Sequence, residues 1–205
     1  MITLKVKMIF DEEVLGTASA NPDIHRDYIA SNAPDAMKLK EEVEAIGEEE
    51  VFEKGMTVFS KDENGNPLVW DYQIKGYFKD SIKQLRNIPK SKCSAIKNYK
   101  QKVDGLVFPA PRKIMIEQGG DMGICQRPLR ASTAQGERVA LASSETVPVG
   151  SSITFDVKLL DPSLEKPILE ALDYGRLHGF GQWRNSGKGR FHYEILDRVE
   201  DDALF

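Results

Sequence analysis

The chain has 205 residues, 40% of them apolar and 29% charged, with a formal net charge of −4. That balance suits one globular domain and excludes a disordered or collagen-like chain. Cys93 and Cys125 form no CxxC pair, which excludes a disulfide framework and reads as reduced cytosolic thiols.

In chain order, Ile2, Leu4, Val6, Met8 and Phe10 alternate with polar residues and predict a first strand with one buried face. The run carries Lys5 and Lys7 and lacks the unbroken apolar region of a signal peptide. No segment has the apolar length that spans a bilayer, so a cytoplasmic chain without a membrane partner is expected. Residues 11–35 read as loop, 36–54 as an acidic helix, and Met56–Ser60 as a short strand. Asp62–Pro67 contains Asn-Gly and predicts a turn, followed by an extended run over Leu68–Tyr72. A helix over 74–86 follows, with Ile74, Phe78, Ile82 and Leu85 as its apolar stripe, and Ile88-Pro89 beyond its end. Residues 90–105 read as a basic loop with a short helix, and Arg112–Ile116 as a strand. Within 117–150, rich in Gly, Ser, Thr and Ala, Gln126–Arg130 is set to pair with Ala140–Glu145. Pro148–Ser151 is a turn, and Ile153, Phe155, Val157 and Leu159 alternate into a strand. A helix over 163–177 tolerates Pro167 in its first turn. A glycine-rich loop, a strand through Phe191, Tyr193 and Ile195, and a frayed tail over Glu200–Phe205 complete the chain.

Two strand–helix–strand units in this order predict an α+β fold. It is a ferredoxin-like (RRM-like) split βαβ sheet with helices on one face. One domain over 1–205 is expected, with an acidic helical insertion at about 11–60 and an irregular one at about 117–150.

Charge is unevenly placed. Residues 75–113 hold eleven Lys and Arg against Asp80 and Asp104, whereas 33–54 hold seven Glu and Asp35 against three Lys. Such a basic field can steer a polyanion although the total is acidic. On the helix, Lys75, Lys79, Lys83 and Arg86 form a stripe beside the apolar one. The second basic element is the run LHGFGQWRNSGKGRF, with Gly179, Gly181, Gly187 and Gly189. Glycines lack the Cβ that holds another backbone away, so the loop can lie against a phosphodiester chain and offer N–H groups to it. Arg176, Arg184, Lys188 and Arg190 add countercharge, and Trp183 is placed to stack on a base. No GK[ST] follows for a Walker loop, and the glycines run helix to strand, the reverse of a dinucleotide fingerprint.

The succession of a strand at 153–160, a helix at 163–177, G-x5-G-x-G over Gly181–Gly189 and a further strand resembles the RAMP superfamily. These are ferredoxin-like RNA-binding subunits of CRISPR effector complexes. Tyr72–Ile82 (YQIKGYFKDSI) is similar to the family's strand-to-helix turn at Ile74, Lys75, Gly76 and Lys79, with Tyr72 and Gln73 where the family has small residues. Glu145–Phe155 is similar to its proline–glycine turn into a core strand. The resemblance covers about 1–10 and 66–197 and lies nearest the backbone-type subunits. It implies contact with a guide-type single-stranded RNA through the basic helix and the glycine loop. It also implies other RAMP-like subunits, or further copies of this chain along the RNA, as partners.

Three functions compete. The first is a non-catalytic RNA-binding subunit of a CRISPR-type ribonucleoprotein, whose sites are Lys75, Lys79, Lys83, Arg86, Gly179, Gly181, Trp183, Arg184, Gly187, Lys188, Gly189 and Arg190. The second is a metal-independent endoribonuclease, with His178 as acid or base and Lys188 or Tyr72 beside the phosphate. The third is a RAMP-like assembly or inhibitor protein that works through protein contacts, which the net negative charge and Glu48-Glu49-Glu50 favour. In some members of the family an acidic residue of the first loop and a metal cut target RNA; Asp11, Asp23, Asp27 and Asp35 lie in or near that region, with no motif to choose among them. No Cys/His cluster indicates zinc, and no metal or cofactor is expected.

Overall fold

The computed structural model describes residues 1–20, 56–133 and 136–201. The chain divides into two compact units. The larger comprises Met1–Val14, Ser60–Asp121 and Val147–Phe205; the smaller comprises Leu15–Phe59 and Met122–Thr146.

The larger unit is built on a mixed-length antiparallel sheet. Its strands are β1 (Ile2–Phe10), β5 (Ser60–Lys61), β6 (Pro67–Trp70), β7 (Val107–Ala110), β8 (Lys113–Glu117), β11 (Ser152–Leu159) and β12 (Phe191–Glu200). They lie in the order β12–β1–β11–β8–β6–β5, with β7 beside β11. β7 and β8 follow one another along the same edge of β11, through Asp156–Leu159 and Ser152–Ile153 respectively. Counting β7 and β8 as one, the core strands read fourth, first, third, second, which is the split βαβ arrangement of a ferredoxin-like sheet. The alternation of β1 is fully expressed: Ile2, Leu4, Val6, Met8 and Phe10 are buried while Lys5 is exposed.

One face of this sheet is covered by helices. α1 (Asp71–Leu85) buries Ile74, Tyr77, Phe78, Ser81, Ile82 and Leu85. α3 (Glu165–Asp173) buries Pro167, Ile168, Ala171 and Leu172. The Tyr77 hydroxyl donates to the Ala171 carbonyl at 2.7 Å and ties the two helices together. α2 (Tyr99–Leu106) closes the layer beside α1 through Tyr99 and Val103. Below it, Glu170 accepts from the Ser91 hydroxyl at 2.8 Å and the Cys93 amide at 2.9 Å, anchoring the 3-10 turn Lys92–Ala95. Burial pushes the Cys93 thiol up to about 12, so it is a protonated core group rather than a nucleophile.

Several elements differ from expectation. The helix begins at Asp71 rather than 74, because the Gln73 side chain turns back to accept from the Trp70 amide at 2.7 Å and caps the first turn. The helix expected over 163–177 is a 3-10 turn at Pro162–Leu164, then α3, then a separate turn at Gly175–His178. β12 continues through Glu200, and the Asp201 amide donates to the Met1 carbonyl at 2.9 Å, so the start of the expected tail is held to β1. Met56–Ser60 divides into β4 (Thr57–Val58) and the start of β5. The acidic helix expected over 36–54 lies outside the described residues.

The smaller unit consists of β2 (Val14–Leu15), β3 (Ala18–Ser19), β4, and a hairpin of β9 (Gly123–Thr133) and β10 (Gly136–Val147). The hairpin is longer than expected and its register differs: Gln126 faces Ser143 and Arg130 faces Val139. Its described interior mixes buried Leu15 and Phe59 with polar groups: the Thr57 and Ser144 hydroxyls lie 2.7 Å apart and the Phe59 amide donates to Glu145 at 2.9 Å.

Gly175 lies directly beneath the Phe191 ring, and a Cβ there would overlap the ring. Gly175→Ala is therefore expected to cost about 1–3 kcal/mol, read as a lower urea midpoint. Gly76→Ala, where a Cβ on half-buried α1 surface meets nothing within 4 Å, is expected to hold or raise the midpoint by comparison.

Candidate nucleic-acid interface

α1 presents its four cations as the sequence indicates, but their surroundings differ. The Lys75 ammonium donates to the Asp104 carbonyl at 3.1 Å and lies 4.5 Å over the Phe108 ring. Lys79 pairs with the Asp104 carboxylate at 2.9 Å, and that hydrogen bond holds the carboxyl below its usual range. Arg86 stacks over Tyr99 at 5.0 Å. Lys83 is exposed and makes no ion pair among the described residues.

The glycine loop closes on itself. The Phe180 amide donates to the Gly189 carbonyl at 2.7 Å, and the Gly189 amide donates to the Glu13 carbonyl at 2.8 Å. Gly179 (φ 75°) and Gly189 (φ 71°) stand where the two loop ends cross, and a Cβ on either would overlap the facing backbone. These two glycines thus serve the approach of the loop's own strands. Gly181 (φ 83°) and Gly187 (φ 87°) turn the chain at its outer end. Trp183, itself in a left-handed conformation, is 38% exposed there. Lys188 pairs with Glu13 at 2.9 Å. Arg190 is exposed, and no ion pair among the described residues claims it.

The two basic elements meet at Asp80. Its Oδ2 accepts from Arg184 Nη1 at 2.6 Å and lies 2.8 Å from His178 Nε2, and the imidazole stacks on Tyr174 with centroids 5.0 Å apart. Partial burial works to raise the Asp80 carboxyl, but the hydrogen bonds and charges of His178 and Arg184 outweigh it and hold the group below the carboxylate range. Asp80 therefore fixes the loop to the helix between Lys79 and Lys83.

The residues considered for RNA cleavage are not brought together. His178 Nε2 faces Asp80, Lys188 faces Glu13, and Tyr72 lies eight residues earlier on α1, about 12 Å along the helix. Of the acidic residues considered for a metal, Asp11 bonds His192 Nδ1 at 2.7 Å; Asp23, Asp27 and Asp35 lie outside the described residues. Sequence reasoning missed the counterions Asp80, Asp104 and Glu13 as members of the site. It also missed Trp70, whose ring is nearly parallel to Tyr72.

A carboxyl depressed in the folded state adds stability that is complete above its unfolded value, near pH 4, and lost as pH falls through the lower folded value. Asp80→Asn should remove that contribution. The difference in Tm between parent and variant is expected to be constant toward neutral pH and to shrink below about pH 4.

No protein-family model matches the chain, and no curated protein matches it. Its fold is similar to a chain in the cryo-EM structure of the Type III-B Cmr-beta bound to cognate target RNA, with a TM-score of 0.56 and 13% identity. The likeness covers 97% of this chain but 61% of that one, so this chain spans less than two thirds of its structural neighbour. At that identity the likeness is one of fold, and it agrees with a ferredoxin-type architecture.

Proposed function

We propose that this chain is a non-catalytic RNA-binding subunit of a CRISPR-type ribonucleoprotein effector, holding single-stranded guide-type RNA by its backbone. The observation that carries this reading is the Asp80 junction, which joins the cation-bearing helix and the glycine loop into one surface. Lys83, one turn beyond Asp80 on α1, and Arg190, at the end of the loop, are exposed, and Arg184 and Lys188 are paired with Asp80 and Glu13. These pairs are only partly buried, so solvent still screens them and a polyanion can compete for their cations. The RAMP-like fold and the neighbour's RNA complex support the same reading. Other RAMP-like subunits would be its protein partners.

A second reading, an assembly or inhibitor protein acting through protein contacts, is favoured by the same counterions. Asp104, Asp80 and Glu13 already neutralise Lys79, Arg184 and Lys188.

Binding of a fluorescent mixed-sequence single-stranded RNA across a salt series separates the two. RNA binding predicts a linear fall of log K with log salt, about −0.7 per phosphate neutralised, and at least tenfold weaker binding by Lys83→Glu/Arg190→Glu. Absence of binding by the parent at low salt would favour the protein-contact reading. Asp104→Asn removes the carboxylate that pairs with Lys79 and is expected to tighten RNA binding several-fold with a steeper salt slope, measured in the same titration.

A further inference from the structure

The N-terminal end of α1 carries a cluster that the backbone-gripping surface does not use. The Trp70 and Tyr72 rings lie 13° from parallel with centroids 6.3 Å apart. Trp70 is fixed on its inner side: its indole N–H donates to the Ser60 hydroxyl at 2.9 Å, and its amide is capped by Gln73. Tyr72 is the outer ring, 56% exposed. The Arg112 guanidinium lies 5.8 Å from the Trp70 ring centroid, held by Asp71 at 3.1 Å. Lys113, the direct cross-strand neighbour of Trp70, places its ammonium 6.0 Å from the same ring. Lys113 is exposed and makes no ion pair among the described residues.

The cluster is continuous with the basic stripe. Tyr72, Lys75 and Lys79 are spaced three and four residues apart and share one face of α1. Phe108, 39% exposed under the Lys75 ammonium, adds a second aromatic ring to that track. A large exposed ring on water-facing surface gains nothing for the fold. Here its backing ring is anchored, its neighbours are cations, and its own side chain is free to accept a planar group.

Resting on the RNA-binding reading above, we infer that Trp70–Tyr72 is a base-stacking platform. A base of single-stranded RNA packs on the outer face of Tyr72, and Lys113 and Arg112 meet the adjoining phosphates. A flat heteroaromatic ring with a negative linker on either side is the chemistry that an exposed phenol between cations recognises. Stacking is tolerant of base identity, so the platform adds affinity without sequence preference. It would fix where each nucleotide sits along α1, a task that the long lysines cannot perform.

The test uses the full chain and the same RNA, with 5-iodouridine distributed along it for photocrosslinking. Tyr72→Ala should fold as the parent does, because the ring is on the surface; its circular dichroism and Tm check this. The expected result is a crosslink at Tyr72 and about tenfold weaker binding by Tyr72→Ala with an unchanged salt slope. Tyr72→Phe keeps the affinity, and Lys113→Gln lowers the slope by about 0.7. If the parent binds RNA and Lys83→Glu/Arg190→Glu weakens it, but Tyr72→Ala binds as the parent does, the platform is wrong and the backbone-binding reading stands. If the parent binds no RNA at low salt, both fall together.

Discussion

Phe191 rests on the bare Cα of Gly175, and the position of the glycine loop follows from that contact. The ring stands edge-on to Tyr77 at 5.4 Å and to Phe10 at 6.4 Å, while Phe180 stacks beside Phe10 at 6.2 Å. These four rings come from β1, α1, the loop and β12, so one aromatic cluster joins the sheet, a helix and the loop. Burying side chains of this size contributes about 1.5–3 kcal/mol each, far more than the exposed ion pairs around them. The hydrophobic cluster therefore sets where the loop sits, and the Asp80 junction only trims how its outer end lies on α1.

This division of labour explains why a surface read as cationic is so heavily balanced by acids. An arginine and two lysines without counterions on two adjoining elements would repel one another at low salt. Asp104, Glu13 and Asp80 relieve that repulsion through pairs that remain partly open to solvent. Under the proposed RNA-binding reading, such a surface would discriminate by charge density, favouring a run of phosphates over an isolated acidic side chain.

The fold was largely legible in the sequence, and the site only partly. The period-two alternation of β1 and β11 and the apolar stripe of α1 each report one buried face, and each element is present with that face buried. β7 was missed because Pro109 speaks against a strand; it is tolerated where the strand pairs on one side with β11. The start of α1 was misread because Trp70 and Tyr72 favour extended structure, and a capping contact from Gln73 decided otherwise. The cations were found by composition alone. Their acidic partners were not, because Asp80 and Arg184 lie 104 positions apart, and Glu13 and Lys188 lie 175 apart. No local pattern encodes such pairs; only the folded chain brings them together.

The free edge of β12 has a further consequence. Among the described residues no strand lies beyond it, and Ile195, Leu196 and Val199 are exposed along its length. Those features ordinarily invite uncontrolled strand addition. An identical strand added antiparallel about Asp197 would place Asp197 against Asp197 and Glu194 against Glu200. Like charges directly opposite one another oppose that register. The rim of the sheet is thus insulated against its own kind by the spacing of three acids, beside the slip in register at Leu196 where β12 pairs with β1.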